Sequence, residues 1–201
     1  NPYSGAVNGL FATKLGIGGI LMIQAFKTPS NSNDLSLVLT GQQGDVMQES
    51  MRCSKTVVWN LLPNDIKKEL KEHWKEYGSY GLHIHCPEAA MPKDGPSAGG
   101  AITIAILSQL CGLKIDNKMA MTGEIDLNGS ILPVGGIDIK LDGAISAGVE
   151  RVFMPEKNRQ DYEIAKQKRD INIEVNFVSH ISQVVKTCFV GDKKIEFEEY
   201  G

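Results

Sequence analysis

The sequence predicts a single α+β domain, and three observations support that class. The 201 residues suit one domain of ordinary size. With 42% hydrophobic and 22% charged residues, the composition is that of a globular protein that can build a substantial core. Short strand patterns, some arranged as hairpins, stand among helical patterns, and no internal repeat interrupts them. We therefore expect one domain over 1–201, with mixed short sheets and about six helices.

Charge and hydropathy argue against several classes of partner. The formal net charge of −3 gives no electrostatic reason to expect nucleic acid or an anionic membrane. The longest apolar runs, 17–26 and 98–107, are too short to cross a bilayer, and no signal segment opens the chain. The four cysteines show neither a CxxC pair nor a secreted framework, which predicts reduced thiols, mostly in the core. This usage predicts a reducing compartment, either the cytoplasm or an organelle (mitochondrial) matrix.

The first half of the chain alternates strand and helix patterns. Strand patterns occupy three segments: 18–26, 35–40 and 80–86. Helical periodicity occupies three others: 45–62, 66–76 and 98–111. The first two strands flank a polar loop that contains Pro29, so we expect them to form a hairpin. Asp45 is the expected N-cap of the first helix, and the second helix, rich in Lys and Glu, is expected to be a solvent-exposed element.

The second half is predicted to begin with the clearest hairpin of the chain. Its strands, 119–127 and 130–134, flank Asn128-Gly129, a dipeptide suited to a two-residue turn with positive φ. A helix over 137–146 follows and is expected to end at Gly148. The remaining elements are a strand, a helix, a strand and a helix, in this order: 149–154, 158–168, 171–178 and 182–190.

Ser97 is a candidate nucleophile. It lies in the Gly- and Pro-rich segment 92–99, directly before an apolar helix. A hydroxyl exposed there would lie near the first free N–H groups of the helix, which can stabilise a developing oxyanion. A serine hydroxyl is a poor nucleophile at neutral pH, so a base must take its proton during attack.

Lys140, 43 positions after Ser97, is the candidate base. It falls in the first turn of the predicted helix, where the helix dipole disfavours an ammonium, and its neighbours at three- and four-residue spacing are small or apolar. Both effects would lower the pKa of Lys140, and a neutral lysine can accept a proton near pH 7. The two residues predict a Ser/Lys dyad, although each also fits an ordinary role, Ser97 in a tight turn and Lys140 on the surface.

Other functions are compatible with the same segment. The stretch 95–99 fits the G-x-S-x-G elbow of α/β-hydrolase-like serine esterases, but the preceding strand ends too early, and His180 is the only later histidine. A non-catalytic phosphate-binding module would use the helix N-terminus with Lys93, but the chain has no G-x-x-x-x-G-K-[ST] motif. His83 and His85 project from one strand face, as half of a metal site would, but no third ligand follows at a suitable spacing, so no metal is predicted.

The run 82–99, which contains Asp94-Gly95-Pro96-Ser97, is the most specific of several ordered motifs. The others are 5–10, 40–42, 46–50, 121–125, 131–136 with Lys140, and 147–158. Together they resemble the proteolytic domain of Lon, the ATP-dependent protease, in its bacterial and organellar A-type. The similarity covers nearly the whole chain. One departure is Gly100, where a larger apolar residue is usual in the family.

The resemblance implies a Lon-type fold and a serine endopeptidase activity. Ser97 would attack the scissile carbonyl, and Lys140 would act first as general base and then as general acid toward the leaving amine. Thr122 matches the family threonine that helps to orient the lysine, and Asp94 matches a position associated with loop conformation. The presence of both Ser97 and Lys140 argues against an inactive family member.

The resemblance also implies partners. Lon-like enzymes unfold protein substrates with an ATPase module and thread them into a hexameric chamber. We therefore expect unfolded or damaged proteins as substrates, a homo-hexamer, and an AAA+ ATPase module N-terminal to Asn1 in a longer parent chain. ATP and Mg²⁺ are expected on that separate module, and no cofactor or metal is expected within this domain.

Overall fold

The computed structural model describes residues 4–31, 35–41, 44–87 and 96–201. Over these ranges the chain is an α+β domain with six α-helices, one seven-stranded sheet and two two-stranded sheets, in agreement with the predicted class. The helices are α1 (Asp45–Leu61), α2 (Asn64–Tyr77), α3 (Gly99–Cys111), α4 (Ile137–Ser146), α5 (Arg159–Lys168) and α6 (Ile181–Val185). The strands are β1 (Ala6–Ala12), β2 (Gly18–Pro29), β3 (Leu37–Thr40), β4 (Tyr80–His85), β5 (Lys114–Ile115), β6 (Met119–Met121), β7 (Glu124–Ile125), β8 (Ile131–Leu132), β9 (Arg151–Pro155), β10 (Glu174–Val178) and β11 (Phe189–Val190).

The large sheet is mixed and has the strand order β10-β9-β6-β1-β2-β4-β3. Strands β10, β9, β6 and β1 are parallel to one another, and β2 is antiparallel to both β1 and β4. The edge strand β3 runs parallel to β4. Because β6 lies between β9 and β1, the residues that follow it leave from the interior of the sheet.

The sheet buries a hydrophobic core on each face, because alternate residues of a strand point to opposite sides. On one face, Leu21 and Ile23 of β2 belong to a cluster that includes α1 and α3. On the other face, Leu10 of β1 packs in a cluster with Ile137 and Leu141 of α4. Helix α3 is apolar around its whole circumference and almost entirely buried, as such a helix must be. Ser97 directly precedes α3 and Lys140 belongs to α4, so the two candidates are attached to helices on opposite faces of one sheet.

Helix α4 approaches β2 closely enough to require glycine at the contact. A side chain at Gly18 would collide with the carbonyl of Ile139, and a side chain at Gly143 would collide with the backbone of Gly18 and Gly19. The absence of β-carbons lets the helix and strand backbones touch, which fixes how deeply α4 sits on the sheet.

The predicted hairpin of 18–26 with 35–40 is wrong. Strand β4 lies between β2 and β3, pairs with both, and separates them in the sheet. The hairpin partner of β2 is instead β1, which the strand patterns did not identify. Its register pairs Ala12 with Gly18 across a turn in which Gly16 has φ of +81°. The first helix also starts slightly earlier than predicted, because Gly44 is its N-cap and Asp45 is its first helical residue.

The second predicted hairpin exists but is shorter than expected. The strand predicted over 119–127 is interrupted at 122–123, so β6 joins the large sheet while β7 pairs only with β8. The N–H of Asp126 donates to the carbonyl of Ser130, which leaves a turn of three residues rather than two. The last predicted helix, 182–190, ends at Val185, and Phe189–Val190 forms β11 against β5.

The prediction that the cysteines lie mostly in the core agrees with the structure. Three cysteines, Cys86, Cys111 and Cys188, are buried core residues. Burial raises the pKa of the Cys111 thiol to about 12, so it stays protonated and unreactive. Within the described ranges, no helix is both long and apolar enough to span a membrane.

Candidate active site

Lys140 is a buried lysine on the sheet-facing side of α4. Only 4% of its surface is exposed, and its Nζ donates a hydrogen bond to Thr122 Oγ1 at 3.0 Å. Burial disfavours the ammonium form and lowers the pKa of Lys140 to about 8. With that value, roughly a tenth of the amine is neutral at pH 7 and about half at pH 8. The side chain can therefore act as a base near physiological pH.

Thr122 lies where the chain leaves the sheet after β6. Its side chain is fully buried, and its N–H donates to the carbonyl of Phe153 on β9 at 3.2 Å. The next residue, Gly123, donates its N–H to the carbonyl of Ser97 at 2.9 Å, and its own carbonyl accepts from the N–H of Gly100 at 3.0 Å. The interruption of the predicted strand at 122–123 thus connects β6 to the start of α3.

Ser97 lies in a single 3-10 turn directly before α3 and is partly exposed. The start of α3 is also held from α1, because Ser54 Oγ donates to the carbonyl of Gly99 at 3.0 Å. The structure therefore attaches the Ser97 backbone to Gly123 and the Lys140 side chain to Thr122, so that both candidates contact one dipeptide. The backbone of Ser97, the side chain of Lys140 and the start of α3 are thus all attached to residues 122–123.

Asp94, the fourth predicted site residue, lies outside the described residues, as does Lys93. The expected role of Asp94 in loop conformation stays a prediction.

Gly100, the departure from the family pattern, is explained by its neighbour. A β-carbon at this position would collide with the Cε methyl of Met121, the last residue of β6. The volume that a larger residue at position 100 would need is filled by the Met121 side chain. The substitution therefore preserves the packing between the first turn of α3 and β6.

His83 and His85 form a polar cluster with Thr40, a partner that the sequence did not indicate. Thr40 Oγ1 lies 2.7 Å from His83 Nε2 and 2.6 Å from His85 Nδ1. A hydroxyl can donate one hydrogen bond and accept others, so it can serve both imidazoles. In the described parts of the chain, no three His, Cys, Asp or Glu side chains group as metal ligands. The pairing of β3 with β4 places Thr40 beside the two histidines. The predicted hairpin paired 35–40 with 18–26, so it did not indicate this contact.

His180, the acid-base partner that an esterase would need, has a different role. Its Nδ1 accepts from the N–H of Ser182 at 3.1 Å and caps α6, while its Nε2 lies 2.7 Å from the carbonyl of Asn128. Both ring nitrogens are therefore occupied by these contacts. This geometry removes the main support for the esterase alternative.

Asn158 anchors the segment that leads into α4. It is only 2% exposed, its Oδ1 accepts from the N–H of Val134 at 2.9 Å, and its Nδ2 donates to the carbonyl of Val134 at 2.8 Å. The side-chain amide thus pairs with both backbone groups of one residue, two positions before the N-cap Gly136. Such a long-range amide contact has no periodic signal in the sequence.

The comparisons with known proteins agree with the resemblance. The family model described as Lon protease (S16) C-terminal proteolytic domain matches residues 1–191. A Lon protease homolog of Acanthamoeba polyphaga mimivirus is 40% identical over 189 residues, covering 90% of this chain and 18% of that protein. The Lon protease of Halothermothrix orenii is 41% identical, covering 94% and 23%. The mitochondrial Lon protease homolog of Caenorhabditis elegans is 37% identical, covering 92% and 19%. The chain thus spans about a fifth of the length of these relatives.

Proposed function

Because the chain belongs to the Lon protease C-terminal proteolytic domain family, we propose that it is the proteolytic part of an ATP-dependent serine endopeptidase, with Ser97 as nucleophile and Lys140 as base. Its proposed substrates are unfolded or damaged proteins. The observation that carries the proposal is the buried Lys140, whose amine contacts Thr122 and has its pKa lowered to about 8.

The chemistry follows from the properties of these groups. Neutral Lys140 Nζ accepts the proton of the Ser97 hydroxyl as Oγ forms a bond to the scissile carbonyl carbon. The resulting ammonium then gives its proton to the leaving amine as the C–N bond breaks, which leaves an acyl ester on Ser97. Water then attacks the ester carbon while Nζ accepts its proton. The ammonium returns that proton to Oγ as the ester C–Oγ bond breaks, which releases the carboxylic acid product and restores the hydroxyl. Base catalysis of this kind contributes roughly 10²–10⁴-fold.

Three further features are proposed to support these steps. Thr122 accepts a hydrogen bond from Nζ, which restricts the amine to a few orientations and so helps to aim its lone pair. The proposed donors to the oxyanion are backbone N–H groups around Ser97 and the start of α3, except that of Gly100, which is donated to Gly123. A single oxyanion donor contributes about 10²–10³-fold. For Asp94 we propose an effect on the conformation of the loop that carries Ser97.

The ATPase partnership and the assembly are proposals drawn from the relatives. Those proteins are about four to six times as long as the segment they share with this chain, because it covers only 18–23% of their length. We propose that an AAA+ module in the parent chain binds ATP and Mg²⁺ and delivers unfolded protein, and that the assembly is a homo-hexamer. The cytoplasm and the mitochondrial matrix are the proposed compartments.

The test is cleavage of an unfolded protein by the parent chain and by the variants Ser97→Ala and Lys140→Ala, each shown to be folded. Both variants are expected to lose at least about 10³-fold in rate. His180→Asn is the matched control, because asparagine can also cap α6 and an esterase mechanism would need the imidazole. Full activity of either dyad variant, or loss of activity in His180→Asn alone, would reject the proposed roles. Tight phosphate binding with no cleavage would favour the phosphate-binding module.

A further inference from the structure

Arg169, the residue directly after α5, contacts two residues of α4 that are one helical turn apart. Its Nη2 donates to the Asp138 carbonyl at 2.8 Å and also to the Asp138 carboxylate. Its Nε lies 3.1 Å from Asp142 Oδ1. Lys168 adds a weaker contact, with Nζ 3.7 Å from Asp138 Oδ2. One guanidinium therefore joins two acidic residues that flank Lys140 in the sequence.

These contacts lie on the side of α4 opposite to Lys140. Successive residues of an α-helix are about 100° apart, so Asp138 and Asp142 each lie about 200° from Lys140 around the axis. Burial agrees with this geometry: Lys140 is 4% exposed, whereas the Asp138 and Asp142 side chains are 42% and 55% exposed. The helix is thus held between two contacts, glycine packing against β2 on one side and Arg169 on the other.

We propose that Arg169 is a positioning residue for Lys140, which fixes the rotation of α4 about its own axis. The inference rests on the proposed function and adds to it a residue that acts through α4 rather than on the substrate. The Asp138 carbonyl is part of the contact, so the guanidinium holds the helix backbone as well as two side chains. Exposed ion pairs of this kind add little to stability, and the expected effect is therefore on geometry.

The length of the lysine side chain makes a small rotation important. The Cα atoms of an α-helix lie about 2.3 Å from its axis, and an extended lysine places Nζ up to about 8 Å from it. A rotation of about 10° would then move Nζ by about 1.4 Å. Displacements of about 1 Å can cost an enzyme as much as 10²-fold in rate.

The charges around Lys140 allow positioning to be distinguished from a direct charge effect. The parts of β1 and β2 that pack against α4 are residues 10–12 and 18–21, and neither part contains a charged residue. The ion pairs that α4 makes lie on its outer side and join Asp138 and Asp142 to Lys168 and Arg169. Asp161 of α5 lines a pocket on the same side, together with Asp138 and Lys168. A loosened α4 would hydrate the amine and raise its pKa toward the ordinary value. Loss of the Asp142 charge by itself would instead lower that pKa, so Asp142→Asn separates the two effects.

The experiment compares the parent enzyme with Arg169→Gln, Asp142→Asn and Arg169→Lys. We expect kcat to fall about 10-fold in Arg169→Gln with KM nearly unchanged. The pH at which kcat/KM rises should move upward in both Arg169→Gln and Asp142→Asn, and Arg169→Lys should recover part of the loss. The matched control is Arg159→Gln, which removes an exposed ion pair with Glu156 and a cation–π contact with Phe177, neither of which is a residue of α4. It should behave like the parent.

Several outcomes would overturn the inference. Unchanged kcat in Arg169→Gln would do so, as would a downward pH shift in Asp142→Asn. A loss that only follows the folded fraction, with an unmoved pH profile, would assign Arg169 a purely structural role. If Arg169→Gln does not fold, Asp142→Asn decides the question alone. Failure of the proposed function is recognised separately, because Lys140→Ala would then keep its activity.

Discussion

Replacement of Thr122 by valine should lower the pKa of Lys140. Exposure of the amine to water would instead raise that pKa, so the two effects can be distinguished. Thr122→Val keeps the shape of a fully buried side chain but removes the oxygen that accepts a hydrogen bond from Nζ at 3.0 Å. A hydrogen bond of this type stabilises an ammonium more than a neutral amine. Its loss should therefore lower the pKa of Lys140 further below 8.

The size of the shift follows from ordinary hydrogen-bond energies. A bond from a charged donor contributes about 1.5–3 kcal/mol and a neutral one about 0.5–1.5 kcal/mol, so the protonated form loses about 1 kcal/mol more. That difference corresponds to a pKa about 0.7 lower. At the same time the amine is no longer aimed by Thr122, and we expect kcat to fall about 10-fold.

The assay is the pH dependence of kcat/KM for an unfolded protein substrate, which reports the ionisation of the free enzyme. Thr103→Val is the matched control, because Thr103 is also fully buried but donates its hydroxyl to the carbonyl of Gly99 at 2.8 Å, within α3. Its pH profile should not move. An unchanged kcat in Thr122→Val, or a profile that moves to higher pH, would refute the role given to this contact.

Three further predictions concern stability. Gly100→Leu should collide with Met121 and cost about 1–3 kcal/mol in the free energy of unfolding, measured by urea titration, and Met121→Ala should restore much of the loss; equal stability of the single variant would contradict the packing. Asn158→Ala leaves the N–H and carbonyl of Val134 without their side-chain partner and should cost about 2–4 kcal/mol in the same titration. A cost below about 1 kcal/mol would show that water replaces the amide. Because burial lowers the pKa of Lys140 from 10.5 to about 8, the unfolded chain binds more protons at this site between these values, and Lys140 should contribute a rise in stability with pH of up to about 3 kcal/mol there. The contribution is measured as the difference between the parent and Lys140→Met, because burial raises the pKa of the Cys111 and Cys188 thiols and lowers the stability of both proteins at higher pH. Lys140→Met should abolish that rise and be more stable at pH 7, and an identical pH dependence would argue against a buried amine.

Local patterns in the sequence predicted most helices well. The helix over 137–146 has the predicted bounds, and α3, α2 and α5 differ by only one or two residues at each end. These segments have strong periodicity or clear end signals, and helix contacts are local in sequence. Local sequence predicted Ser97 and Lys140 as candidates, and the family resemblance joined them and added Thr122 and Asp94. The contact between Lys140 and Thr122 is present in the structure.

Features that depend on distant segments could not be predicted in this way. The pairing of β2 with β1 rather than β3 is decided by the whole sheet, since either partner offers a similar apolar alternation. The break at 122–123 arises because the backbone of Gly123 hydrogen-bonds to Ser97 and Gly100 instead of to a neighbouring strand. Gly123 and Ser97 are 26 positions apart in the sequence. Arg169 and Asp138 are 31 positions apart and carry no motif that would link them. Such contacts become visible only when the fold brings the segments together.

The central claim is that Lys140 is neutral in a substantial fraction of the active enzyme and accepts the proton of Ser97. The most direct measurement is an NMR titration of isotope-labelled lysine in the catalytically competent parent enzyme, with the Lys140 signal assigned from Lys140→Met. We predict a pKa of about 8 that coincides with the rise of kcat/KM. An amine that stays cationic above about pH 9 while the enzyme cleaves protein at full rate near pH 7 would contradict the account.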